Sequence, residues 1–343
     1  MDLLYILLCM IALSTSYQLL RHSKKGDLYL YDFSVQRTLP LRGLLAFLII
    51  THHLSQVVWA LDIPLIQEFM SWGGVVVSVF FFITGYGLMI TYMKKGNEYL
   101  NGFLKHRLGK LLPPIIIATL CYLTILSFLT QSNAFLLIAD LRYGTAPLPT
   151  SWFVYAVIFF YLAFYCAAKI LLDQRFLIIC LWIISTIYII VLHSLGWEDC
   201  WYKSIFAFNI GSSFAYFEHK IKNKIIQNPK SFIYITISLL IFLFIVRYIN
   251  TYIFVTNTPI WKSAVYYSVP LFCVAVIYLF KGFTSLGFIF LGSISYEIYL
   301  VQGVFVTLLS PMRENWIAYF ILVYILSLIT AWMLHGLCNS ILK

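Results

Sequence analysis

Charge is scarce in this chain. Only 10% of its 343 residues are Asp, Glu, Lys or Arg, and 62% are hydrophobic. A soluble domain carries about 25% charged residues. A globule in water needs a polar exterior, so the shortage excludes a soluble fold and leaves lipid as the solvent of most side chains. Long polar linkers, internal repeats and low-complexity tracts are also missing, which excludes a second folded domain between the apolar stretches. Cysteine is present without pattern: Cys9, Cys121, Cys166, Cys180, Cys200, Cys273 and Cys338 show no paired or metal-like spacing. That excludes a disulfide framework and a zinc site, and no metal is expected. Only Cys200 falls in a short polar connection, and the others read as small buried hydrophobes. The net charge of +10 is spread in short runs between apolar stretches, which excludes a soluble basic face, so no nucleic-acid partner is expected. What is abundant is aromatic: 18% of residues, with 25 Tyr and 9 Trp, as suits two interfacial belts.

A spanning helix needs about 20 mostly apolar residues. Eleven such stretches run near 2–20, 41–60, 72–93, 111–130, 151–170, 176–195, 203–218, 231–250, 263–280, 286–308 and 316–338. The expected fold is an all-α polytopic transmembrane bundle of about 11 spans. The first stretch is followed, not preceded, by Arg21, Lys24 and Lys25. A signal peptide has its positive region first, so this stretch reads as a retained helix. With the N-terminus outside, 17 of the 23 basic residues fall in cytoplasmic segments. Arg142, Lys203, Arg247, Lys262 and Arg313 fall on the other side. This bias predicts a multi-pass protein of the cell membrane with an outer N-terminus and a cytoplasmic C-terminus. The chain divides into residues 1–36, an N-terminal helix with its cytoplasmic linker, and 37–343, one membrane domain.

Ionisable groups inside a bilayer cost a few kcal/mol even on insertion scales of about 2.5–3.5 kcal/mol, so they are functional candidates. The second stretch, LRGLLAFLIITHHL, begins with Arg42 and carries His52 and His53. At 100° per residue Arg42 and His53 lie about 20° apart on one helix face and about 16 Å apart along the axis. One stripe thus joins a cation at the cytoplasmic end to an imidazole near mid-membrane. Each residue also has a plain reading: Arg42 as a side chain reaching to headgroups, His53 as a hydrogen-bonder between helices. Glu297, in GSISYEIYLVQ, either pairs with Arg42 or a histidine or acts itself. The stretch FLKHRLGKLLPP at 103–114 places Lys105, Arg107 and Lys110 at the cytoplasmic surface. They suit a phosphate-rich cofactor, or serve as membrane anchors and lipid contacts.

In order along the chain, these segments resemble the acyltransferase type 3 family of membrane O-acyltransferases. Arg42 and His53 match its Arg, ten residues, His helix. FFFITGYG at 80–87 is similar to its FF-x-x-SG-[FY] stretch, FLKHRLGKLLPP to its basic segment, SWFVYAVIFFYLAFY at 151–165 to its Trp-Phe helix start, and LGSISYEIYLVQ at 291–302 to its LG-x-[IS]-SY-x-x-YL-x-H stretch. The resemblance covers about residues 37–335. Thr84 stands for Ser, Lys110 for Arg and Gln302 for His. Glu297 stands where small or apolar residues are usual. The helix at 2–20 is an addition to a family core of about ten.

The resemblance implies transfer of an acyl group, usually acetyl, from coenzyme A to a hydroxyl of a surface polysaccharide, lipid-linked glycan or cell-wall glycan. It implies acetyl-CoA as donor on the cytoplasmic side, docked on Lys105, Arg107 and Lys110 with Arg42 at the cavity mouth. His53 would be the general base or a transient acyl carrier, with Tyr86, Tyr296 and Tyr299 available to an oxyanion. A rival from another class is a glycan or lipid transporter or flippase. Against it, no repeat symmetry or paired broken helices are found. A sensor or scaffold without catalysis would leave Arg42 and His53 without a purpose.

Overall fold

The computed structural model describes residues 2–25, 28–130, 148, 150–249, 259–280 and 285–341. The side chains of Lys24, Lys25 and Lys262 lie outside the described part, as do Asp140, Arg142, Lys281, Lys343 and most of the segment 141–150. Among the described residues the chain is helical throughout, with no strand. The principal helices are α1 (Asp2–Lys25), α2 (Val35–Val57), α3 (Gly73–Lys95), α4 (Phe103–Thr130), α5 (Trp152–Ile170) and α6 (Gln174–Ser194). They continue as α7 (Phe206–Gln227), α8 (Pro229–Tyr248), α9 (Pro259–Leu279), α10 (Leu286–Ser293), α11 (Ser295–Leu308) and α12 (Trp316–Ile341). Each of the eleven expected stretches is therefore mainly helical among the described residues. Helices suit lipid because all backbone polar groups pair within the segment.

Seven of these helices are long and apolar enough to cross a membrane, and eight if the bent pair α10–α11 is one span. The eleven expected spans are thus not all met by length and hydropathy. The exceptions have physical reasons. The described apolar part of α9 is short, Ser263–Leu279. α2 and α7 carry polar residues because they face protein rather than lipid. In α7, Asn209, Ser212 and Glu218 are buried, and Asn209 Oδ1 accepts from Ser185 Oγ on α6 at 3.1 Å. The stretch 286–308, expected as one helix, breaks at Ile294 and turns by 78°. Two side-chain hydroxyls satisfy carbonyls at the break: Ser293 Oγ donates to Phe290 O at 2.6 Å, and Ser295 Oγ to Gly292 O at 2.9 Å. Non-helical backbone is tolerated at membrane depth when protein buries it.

Two close helix crossings organise the bundle. A Cβ on Gly85 of α3 would fall on the Phe208 carbonyl of α7, and one on Gly211 of α7 would fall on the Phe82 carbonyl of α3. The same reciprocal arrangement joins α2 to α10, with Gly43 against Phe288 O and Gly292 against Leu39 O. Small residues let membrane helices approach to backbone contact, where dispersion and weak C–H···O contacts take the place of a hydrophobic drive.

α1 packs on α8 and α9, and Asp2 forms an ion pair with Arg247. The segment after it, read from the sequence as a linker, is packed. Leu30 and Phe33 are buried, Tyr31 N donates to Tyr278 O at 3.0 Å, and Arg37 lies 3.9 Å over the Tyr31 ring.

Valine at Gly85 or Gly211 must push α3 away from α7. Overpacking of this kind costs about 1–3 kcal/mol. The expected outcome is a lower thermal melting point and reduced monodisperse yield in detergent for either variant. Gly109→Val, at a glycine with nothing within 4 Å of its missing Cβ, serves as the control and should melt like the parent.

Candidate active site

The side chains that carry chemistry gather around two cavities, at opposite ends of α2. One, of about 570 Å³, is lined by His52, His53 and Gln56 of α2, with Trp152, Glu198, Asp199, Trp201 and Tyr266 among its other walls. The other, of about 920 Å³, is lined by Arg42 of α2, Arg107 and Lys110 of α4, Tyr161 of α5, and Tyr296 of α11. We call them the histidine cavity and the basic cavity.

The shared face of Arg42 and His53 holds, but it serves two cavities rather than one. α2 begins at Val35, six residues before the expected start, and carries Pro40 inside it. Proline lacks the N–H that would bond Gln36 O, and Gln36 lies on the basic cavity. The earlier start and an end at Val57 put His53 four residues from the helix C-terminus, not at its middle.

Local bonds fix the two imidazoles differently. His52 is buried, and its Nδ1 lies 3.0 Å from Phe69 O. Because a carbonyl only accepts, Nδ1 carries the proton. Gly73 leaves room for that ring: a Cβ there would strike the imidazole. His53 is half-buried, with Nδ1 3.3 Å from Gln56 Oε1 and its ring 4.8 Å from that of His52. With the amide oxygen accepting, His53 also holds its proton on Nδ1, and the Nε2 lone pair is left to act as a base. Both rings thus have an unprotonated Nε2; they differ in setting, His52 being buried with Nε2 against Gly73 and His53 half-buried on the cavity wall.

In the histidine cavity Lys203 forms an ion pair with Asp199. The Cys200 Sγ lies 3.6 Å from Glu198 Oε2. Burial, with that carboxylate beside it, pushes the thiol up to about 12, which disfavours the thiolate.

The basic cavity contains donors that nothing satisfies. Arg42 Nε and Arg107 Nε are both buried without a hydrogen-bond partner. Unpaired buried donors on charged groups cost free energy, and they fit an anionic ligand. Arg107 is otherwise held by aromatic rings: Nη2 donates to Tyr99 Oη at 2.5 Å, and its guanidinium carbon lies 5.6 Å from the Tyr161 ring centre. Lys110 shares its face. Lys105, expected beside them, is exposed and lines neither of the two cavities. The reason is helical geometry: residues two apart point about 200° apart, whereas residues three apart share a side. The N-terminus of α11 opens on this cavity through Ser295 and Tyr296, and a helix N-terminus favours negative charge.

Glu297, expected to pair with Arg42 or a histidine or to act itself, lines neither cavity. It is buried and meets His335 of α12, with Nδ1 2.8 Å from Oε1. The partner is indeed a histidine, but neither of those on α2. The pair ties the broken helix to α12, away from the chemistry.

Sequence reading missed a second polar cluster at the basic cavity. Glu218 accepts from Tyr86 Oη at 2.7 Å and Tyr278 Oη at 2.9 Å, and pairs with Lys222 at 3.0 Å. Lys222 also reaches Asp32 at 3.3 Å. Glu218 and Lys222, four apart on one helix face, gave a local signal. The tyrosines and Asp32 did not.

Glu297→Ala would leave His335 without its carboxylate. The expected cost is about 1–3 kcal/mol of stability, seen as a lower melting point.

No curated protein and no solved structure is significantly similar to the chain. The model of one family, described as an acyltransferase domain, matches residues 41–336. That match begins just before Arg42 and ends just after His335, so it takes in most of α2 through most of α12, the lining of the histidine cavity, and that of the basic cavity apart from Asp32 to Thr38. The chain belongs to the acyltransferase type 3 family and is a membrane acyltransferase.

Proposed function

We propose that the protein transfers a short acyl group, acetyl in the first instance, from acyl-CoA in the basic cavity to a hydroxyl of a cell-surface polysaccharide or lipid-linked glycan in the histidine cavity. The observation that carries the reading is the pairing along α2 of unsatisfied arginine donors at one end with a half-buried imidazole, held at Nδ1, at the other. The basic cavity also carries Lys94 and Lys95, which fits a cytoplasmic opening and an inner-membrane or plasma-membrane location.

Arg42, Arg107 and Lys110 hold the donor's phosphates, the arginines through charge-assisted hydrogen bonds. The flexible thiol-bearing arm then extends along α2, which spaces Arg42 and His53 by about 16 Å. His53 Nε2 takes the proton of the acceptor hydroxyl as its oxygen attacks the thioester carbonyl. The carbon–sulfur bond breaks, and the departing thiolate takes the proton from the imidazolium. The products are an ester and the free thiol of coenzyme A, and the imidazole is regenerated. Trp152 and Trp201, 6.2 Å apart, offer apolar ring faces, and Glu198 and Asp199 offer acceptors for hydroxyls.

A carrier for glycans or lipids would also use two cavities at opposite ends of the bundle. It predicts neither acetyl-CoA binding nor thiol release.

The deciding test is O-acetyl content of surface glycans in a deletion strain complemented with the wild-type or variant protein. Wild type should restore acetylation and His53→Ala should not, because a positioned general base contributes about 10²–10⁴ in rate. His52→Ala should lose less. Full acetylation with His53→Ala in the membrane at normal level sinks the assignment of the base. In titrations of the purified protein with acetyl-CoA, Arg107→Ala should weaken binding about tenfold or more, as expected for losing a charge-assisted bond of about 1.5–3 kcal/mol. Lys105→Ala should stay within about twofold, since exposed charges contribute little.

A further inference from the structure

Among the described residues Tyr299 is the one side chain common to the linings of the two cavities. Its ring stands edge-on to Phe153, with centroids 5.4 Å apart, and its hydroxyl donates to the Thr150 carbonyl. One turn along α11, Gln302 is fully buried and donates Nε2 to Thr150 Oγ1 at 2.9 Å. Its Oε1 has no partner. Thr150 has φ of 64°, a left-handed conformation that a β-branched residue rarely adopts. Two side chains of α11 therefore grip one strained residue, by its carbonyl and by its hydroxyl. The residues after it divide between the cavities: Trp152 faces the histidine cavity and Phe153 the basic cavity.

This wall has a chemical consequence if the donor lies on one side and the base on the other, as proposed above; the inference rests on that reading. An acyl group must pass Tyr299 to meet the acceptor. Water, which fills any open outer cavity, would pass the other way. Water is itself an acceptor: its oxygen would bond the acyl carbon, the carbon–sulfur bond would break, and the thiolate would take a proton. The donor would be spent as free acid and free thiol.

We propose that Tyr299 is the partition that keeps the donor thioester from the water that His53 would activate, and that Gln302, through Thr150, is the latch holding it closed. Tyr299 is on this account a positioning residue that decides between transfer and hydrolysis, because excluding water prevents side reactions.

The test is thiol release from acetyl-CoA by the purified protein in lipid nanodiscs with no acceptor present. Wild type should release thiol slowly. Tyr299→Ala should raise the rate about tenfold or more, Gln302→Leu should raise it less, and Tyr299→Phe, which keeps the ring, should raise it least. The excess should vanish in Tyr299→Ala/His53→Ala, since His53 would also activate the intruding water. Where Tyr299→Ala fails to fold, Gln302→Leu alone and with His53→Ala carries the same test. An unchanged acceptor-free rate in folded variants that bind acetyl-CoA overturns the partition. So does excess hydrolysis that persists without His53. Failure of the wild type to bind acetyl-CoA would instead overturn the proposed function, and the two failures are distinguished by that binding measurement.

Discussion

The approach of α2 to the broken helix α10–α11 sets everything else in the site. Gly43 and Gly292 each rest against the other helix's backbone carbonyl, so no larger residue fits at either without moving a helix. That contact holds the stripe bearing Arg42 and His53 against the element bearing Tyr296, Tyr299 and Gln302. The turn of 78° at Ile294 then directs the N-terminus of α11 at the basic cavity and its second turn at the wall between the cavities. In lipid, where burial of apolar surface does not drive helices together, backbone proximity of this kind supplies the adhesion.

On that frame the chain distributes polar groups unevenly. The protein satisfies nearly all it buries, as at Glu218 with two tyrosine hydroxyls and Lys222. Among the described residues five buried side-chain atoms lack a partner: Trp72 Nε1, Gln302 Oε1, Ser327 Oγ and the two cationic donors at the basic cavity, Arg42 Nε and Arg107 Nε. Such donors cost stability in the empty protein and return it when an anion arrives. Those two donors lie at the basic cavity, while the histidine cavity offers hydrogen-bond acceptors and aromatic faces. The two ends thus differ in chemistry, as the proposed transfer from an anionic donor to a hydroxyl-bearing acceptor requires.

Much of this was legible in the sequence because it is local. Apolar runs gave the helices, though not which of them face lipid: α7 is too polar to pass for a span, and the reason, its burial against α3 and α6, is a tertiary fact. Helical period gave the common face of Arg42 and His53, and likewise separates Lys105 from Arg107. The start of α2 at Val35, with Pro40 inside the helix, was not legible from its apolar run. What was not legible depends on distant pairs. Glu297 meets His335 38 residues away, and Tyr299 meets Thr150 149 residues away. The segment 28–34, read as a linker, carries Asp32 and Phe33 into the basic cavity because Tyr31 and Arg37 are tied to α9 and its end. No periodicity in one stretch reports a partner in another.

The central claim is that one ligand spans the path from the arginines to the partition. The most direct measurement is an experimental structure with a non-hydrolysable acetyl-CoA analogue bound. The account predicts phosphates against Arg42 and Arg107 and the acyl end at Tyr299, facing His53. An analogue lodged by its phosphates in the histidine cavity, or one leaving both arginine Nε groups unpaired, would contradict it.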